Sequence, residues 1–294
     1  MRLLLWCRLI LPLLLAFGMT CELASQPQGN ADQAVSPPSD DFSWKRPAGL
    51  DQLTRRSVWF TTYVDLLTVE DRTPHAVPLK SVKGVSFQVG LTHRSWCIAA
   101  DEGTVTVELA TGKFRRFNVD TPKNPPKEPI TDCSDIFPTL KQKTLDQIDR
   151  ALFSELTIDS NAPFGLGVAP PEGGNPFRLV PARSVAIDTG SDGVFKVGDV
   201  LFVPQLTLVK VTLPGGKVVN HDGYVMAVDR VGGCSGSKGM PDNCNINHLD
   251  YFQGRSSTDL LPPPLDSSPA SPVYAYLVTD PAIIARLKAE HGGN

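Results

Sequence analysis

The chain lacks a surplus of charge of either sign. Lys and Arg number 28 against 31 Asp and Glu, a net charge of −3 over 294 residues. Nothing in that balance points to a polyanionic partner, so no nucleic acid is expected. Long apolar runs are missing as well. The stretch from Leu9 to Phe17 falls short of the ~20 residues a membrane span needs. There is no Gly-x-Ser-x-Gly elbow, no phosphate-binding loop and no His-Glu-x-x-His pair. These absences set aside serine-hydrolase, nucleotide-binding and zincin chemistry. The six cysteines contain no closely spaced pair of the zinc-knuckle kind, so no metal is expected, and no other cofactor. No internal repeat is visible. What the chain has in excess is proline (26) and glycine (24), about 17% together against a usual ~12%. That argues against a helix bundle and for a loop-rich, mainly β protein.

Residues 1–24 have the layout of a secretory signal, with Arg2 and Arg8 supplying positive charge around a short apolar core. Gly18-Met-Thr-Cys21 loosely resembles a bacterial lipoprotein box, which would make Cys21 an outer-membrane lipid anchor. Residues 25–54 are polar and proline-rich, a tether with little to bury. Export, to the periplasm or the outer membrane, permits disulfides. Cys97, Cys133, Cys234 and Cys244 allow three pairings, and closeness in sequence favours Cys97–Cys133 with Cys234–Cys244.

Strand signals dominate the rest. Ser57–Val64 is aromatic and β-branched, and Val85–Val89 and Thr104–Leu109 alternate with period two. Thr111-Gly112 reads as a turn into Lys113–Val119, completing a hairpin. Residues 121–129 are too rich in proline to join a sheet centre. Leu145, Ile148, Leu152 and Phe153 fall at helical spacing and predict a helix over 140–156. Strands return at 184–187, 200–203, 206–211, 223–228, 249–252 and 273–278. Asp280-Pro281 opens a final helix, with Asp as cap and Pro in the first turn. Strands this short and frequent suggest a closed barrel.

Three aspartates punctuate these apolar strands. Asp188 follows Val185-Ala-Ile187, Asp229 follows Val225-Met-Ala-Val228, and Asp250 sits within His248-Leu-Asp-Tyr-Phe-Gln-Gly254. An ionisable group next to an apolar run is costly to bury unless it is paired or used. Arg183-Ser-Val-Ala-Ile-Asp188 with Lys196-Val-Gly-Asp-Val-Leu-Phe-Val-Pro204, then Ala227-Val-Asp-Arg-Val-Gly-Gly233, then His248–Gly254 occur in that order. Together they resemble the three-aspartate domain of membrane-bound lytic transglycosylase A and of bacterial cell-wall stationary-phase proteins. Asp229 and Asp250 are 21 positions apart, wider than is usual in that family. Lys238, within this wider segment, would stand in for the family lysine.

The resemblance implies a double-psi β-barrel over 55–80 and 160–280, an inserted β-rich region or second small domain over 81–159, and a C-terminal helix and tail over 281–294. It also implies cleavage of the MurNAc–GlcNAc bond of peptidoglycan glycan strands with a 1,6-anhydro product. Asp250 would be the acid/base, Asp229 the neighbour that orients it or tunes its pKa, and Asp188 a support at the groove. Tyr251, Tyr63, Gly232, Gly233 and Lys238 would meet substrate, and His221 and His248 are expected at the surface or behind the site. Two other readings compete. Ala186-Ile-Asp-Thr-Gly-Ser191 also matches the catalytic turn of aspartic proteases, which use two such turns, and no second copy exists. A double-psi barrel could equally bind wall glycan without cleaving it.

Overall fold

A computed structural model describes residues 42–120, 125–187, 195–212, 216–230, 248–257 and 263–293. The fold is mainly β, with few helices. In chain order the strands are β1 (Arg55–Val69), β2 (Val77–Lys80), β3 (Ser86–Leu91), β4 (Thr104–Glu108), β5 (Phe114–Asp120), β6 (Leu152–Leu156) and β7 (Ser184–Ile187). They continue with β8 (Val200–Phe202), β9 (Lys210–Thr212), β10 (Val218–Asn220), β11 (Tyr224–Arg230), β12 (His248–Ser256) and β13 (Val273–Leu277). The helices are α1 (His93–Glu102), α2 (Gln142–Ile148) and α3 (Pro281–Glu290). Among the described residues, no helix is long and apolar enough to cross a membrane.

Nine strands form one mixed sheet in the order β12-β7-β11-β8-β13-β1-β4-β5-β6, and β12 also pairs with β1. The first six strands therefore return on themselves, with β4, β5 and β6 continuing from the far end of β1. β1 can serve both parts because it is fifteen residues long. Arg55–Val58 run antiparallel to β13, Trp59–Leu66 parallel to β12, and Leu66–Val69 parallel to β4.

Two apolar clusters lie along this sheet. One gathers Val58, Phe60, Val185, Ile187, Phe202, Val225, Leu249 and Tyr251. The other gathers Leu66, Leu79, Trp96, Val105, Phe117 and Phe153. Within the second, Cys97 of α1 is bonded to Cys133 across 36 positions. Cys234 and Cys244 lie outside the described residues, as do Cys21 and the signal and lipoprotein features.

Several local expectations differ from what forms. The helix expected over 140–156 stops at Ile148, and Leu152–Leu156 instead pair with β5. Leu152 and Phe153 are both buried there, so adjacent apolar residues of a doubly covered strand imitate a helical stripe. The strand expected over 206–211 is split, because Pro204–Leu208 form a 3-10 turn before β9. Residues 93–102, which show no clear periodicity, are helical. Thr92 caps that helix through its hydroxyl, which accepts from Ser95 N–H, and Gly103 ends it. The β4–β5 hairpin forms across Thr111-Gly112, and Asp280 caps α3 by accepting from Ala282 and Ile283 N–H.

Candidate active site

β7 runs between β11 and β12, and its Ala186 is the register partner of Asp229 on one side and Asp250 on the other. Register partners in a sheet project from the same face. Asp229 and Asp250 therefore stand on one face, about 10 Å apart at their Cα atoms for two strand spacings. The alignment depends on a bulge. Ala227 pairs with Val185 but Asp229 pairs with Ala186, leaving Val228 extra. Without it, Asp229 would fall opposite Ile187 and turn to the other face, which is how bulges re-aim a side chain. The freed Val228 carbonyl accepts from Val168 N–H at 2.9 Å. Gly167 permits that approach, since a Cβ there would run into the Val228 carbonyl oxygen.

β1 supplies the other wall. Trp59, Thr61 and Tyr63 are register partners of His248, Asp250 and Phe252. The Trp59 and His248 rings stack at 4.0 Å and 12°. Thr61 Oγ1 donates to Asp250 Oδ1 at 2.6 Å and lies 2.6 Å from His248 Nε2. Just beyond, β12 gains an extra residue at Gly254, whose φ of 96° suits glycine. Val64 N–H there turns to Glu102 Oε2 at 2.9 Å, which docks the C-terminal end of α1 on β1 beside the aspartates.

The electrostatics follow from this crowding. Burial pushes Asp250 up to about 7, against the pull of the Thr61 hydrogen bond, and the charges of Asp101 and Asp229 add to the rise. Burial also raises Asp229 to about 6, although the Arg230 backbone N–H holds it down. Asp101, in the last turn of α1, rises to about 6 for the same first reason. The Tyr63 phenol is pushed well above its ordinary range, first by burial and then by Asp229 and Asp250. Its buried hydroxyl has no hydrogen-bond partner among the described residues. Burial lowers His248 to about 4. The arrangement can thus hold a proton on Asp250 near neutral pH and carry negative charge beside it.

The sequence-derived candidates sort by face. Asp229, Asp250 and Tyr63 come together. Tyr251, expected at the groove, is instead in the core at 2% exposure, its hydroxyl donating to Ala182 O at 3.3 Å. Period-two alternation requires this, because the neighbour of Asp250 must face the other way. His221 is buried too, bonded to Ala182 O and to Gly223 N–H. Asp188, Gly232, Gly233 and Lys238 lie outside the described residues. Thr61, Trp59 and Asp101 were not singled out from sequence. His248, expected at the surface or behind the site, is two positions from Asp250, so its place on the same face is readable from strand period. Thr61 becomes visible only once the β1–β12 register is known.

Solved structures similar to this chain are lytic murein transglycosylases. A membrane-bound enzyme from Agrobacterium tumefaciens is 14% identical, with a TM-score of 0.43, over 79% of this chain and 77% of its own. E. coli MltA with bound chitohexaose is 13% identical, with a TM-score of 0.43, over 76% and 72%. The lytic transglycosylase LtgG of Burkholderia pseudomallei is 14% identical, with a TM-score of 0.35, over 75% and 71%. No protein-family model matches the chain, and no curated protein matches it in sequence.

Proposed function

We propose that the chain is a peptidoglycan lytic transglycosylase whose six returning strands form a double-psi β-barrel, with Asp250 as its acid/base. The observation that carries this reading is the shared register of Asp229 and Asp250 on Ala186, with Asp250 raised to about 7. The ordered sequence motifs around all three aspartates support it independently.

Cleavage of a MurNAc–GlcNAc bond needs a proton on the leaving oxygen and support for an oxocarbenium-like transition state. Protonated Asp250 donates to the glycosidic oxygen as the C1–O bond breaks. The resulting carboxylate faces the positive charge developing at C1 and the ring oxygen, and Asp229 adds negative potential beside it. The C6 hydroxyl of the same sugar then attacks C1. Asp250 takes its proton, and the 1,6-anhydro ring closes without water. A single carboxyl returns to its starting state, and a pKa raised to about 7 lets it both give and take the proton near neutral pH. Asp188, Gly232, Gly233 and Lys238 keep their supporting and substrate-contacting roles in this proposal, as does an exported or outer-membrane location.

Incubation with purified sacculi tests the reading. Wild-type protein should release anhydro-muropeptides, and Asp250→Asn should reduce release at least 100-fold, the lower end of what general acid/base catalysis usually contributes at roughly 10²–10⁴. Undiminished release by the folded variant would overturn the assignment. The wide spacing of Asp229 and Asp250 favours one alternative, a barrel that binds wall glycan without cleaving it. That alternative predicts co-sedimentation with sacculi and no soluble product from the wild type.

A further inference from the structure

The Thr61 hydroxyl has a single hydrogen and two polar neighbours at 2.6 Å, Asp250 Oδ1 and His248 Nε2. When Asp250 is ionised it can only accept, so the hydroxyl hydrogen must point to it. Thr61 Oγ1 is then an acceptor toward His248, and Nε2 must carry a hydrogen. The neutral ring has only one N–H, so Nδ1 is bare. Nδ1 is in fact buried with no partner among the described residues. An unpaired acceptor is the less costly orphan there, since a buried N–H without a partner is the rarer case. Burial keeps the imidazole neutral above about pH 4. The stack on Trp59 fixes the ring plane. All four residues are register partners on one face of β1 and β12.

We propose that Thr61 and His248 are positioning residues for Asp250, holding one hydrogen on Oδ1 so that the reactive proton is carried by Oδ2. The imidazole acts through the hydroxyl. Its Nε2–H occupies the Thr61 oxygen and leaves the hydroxyl no orientation except toward the carboxyl. The proposal rests on Asp250 being the acid/base, but not on the identity of the glycan. The other groups facing Asp250 are Asp229 from β11, Asp101 from α1 and Tyr63 from β1. They are untouched by the variants below and offset every variant alike.

The experiment is a carboxyl ¹³C titration of Asp250 in the full chain without substrate, the resonance being assigned by its loss in Asp250→Asn. Thr61→Val removes a hydrogen bond to the charged form and should raise the midpoint by about one pH unit. Thr61→Ser should restore it. His248→Phe keeps a ring on Trp59 but frees the hydroxyl to turn, and should raise the midpoint by less. The double variant Thr61→Val/His248→Phe should match Thr61→Val alone, because the imidazole has nothing left to act through. Additive shifts, or an unmoved midpoint in Thr61→Val, overturn the proposal. A shift in Thr61→Val with none in His248→Phe removes His248 from it. Sacculus cleavage measured in parallel should show its alkaline limb moving with each midpoint. If the wild type cleaves nothing, the transglycosylase reading fails while the titration still decides the relay.

Discussion

At the scale of residues, the site depends on what surrounds one carboxyl. Asp250 is raised chiefly by burial, and the charge of Asp229 on the same face adds to that rise. Asp229→Asn removes this charge while keeping the size and the Arg230 contact. The sign follows directly: without a negative neighbour, Asp250 gives up its proton more readily, so its midpoint falls. For charges some 8–10 Å apart at an effective dielectric of about 20 the drop is about one unit. Activity of the variant on sacculi should match wild type more closely at pH 5.5 than at pH 7.5, with the alkaline limb displaced downward. A limb that stays put would mean Asp229 does not share the field of Asp250. Much of this was legible in advance. Asp229 and Asp250 stand out because a carboxylate at the end of an apolar run calls for a reason. Tyr251 was misassigned because adjacency in the chain is the opposite of adjacency on a strand face. Asp101 carries no sequence signal, since its place near the aspartates appears only once α1 is seen docked on β1 through Glu102.

At the scale of elements, the bulge at Val228 brings two aspartates to one face of the sheet. Its carbonyl is satisfied by Val168 N–H, and the segment carrying Val168 comes so close that position 167 has room for no side chain. Gly167→Ala must therefore push this segment away from β11, or push the bulge itself. Overpacking of this kind costs about 1–3 kcal/mol. The effect on cleavage should be larger than on folding, because a small rotation at Val228 displaces Asp229 relative to Asp250. The comparison is a thermal midpoint against sacculus cleavage rate. A variant with wild-type activity would show that the bulge does not need this contact. No pattern in the sequence announces the bulge, because Ala227-Val-Asp229 reads as regular alternation. The hairpin at Thr111-Gly112 and the Asp280 cap of α3 were legible because turn and cap chemistry is local. Of the helix expected over 140–156, residues 142–148 form it but 152–156 do not, since their strand is imposed by pairing with β5 rather than by their own periodicity.

At the scale of the whole molecule, a buried ion network ties β1 to the strands on either side. Asp65 and Arg116 are each 1% exposed. Asp65 accepts from Thr106, Arg116 and Arg255, and both arginines also donate to Pro163 O. Beyond this network, proton-binding groups displaced in opposite directions are spread across the fold. His221, His248 and His291 are each lowered to about 4 by burial. Asp101 and Asp229 are raised to about 6, and Asp250 to about 7. As pH falls from ~6.5 toward 4 the unfolded chain protonates its histidines while the folded one does not, so the histidines make acid destabilising. As pH rises from ~4 toward 7 the unfolded chain ionises its aspartates while the folded one holds their protons, so the aspartates make the rise destabilising. The two sets oppose each other across one window and flatten the stability curve of the wild type there. Asp250→Asn removes the aspartate with the largest shift and leaves the histidines in place. Its melting temperature should exceed that of the wild type at pH 7.5, where Asp250 must be ionised in the fold, and the gap should narrow at pH 5, where it is protonated. This is the stability cost expected of a group retained for chemistry. An equal gap at both pH values would show that Asp250 ionises as easily in the folded chain as in the unfolded one, and would remove the physical basis for the acid role proposed for it.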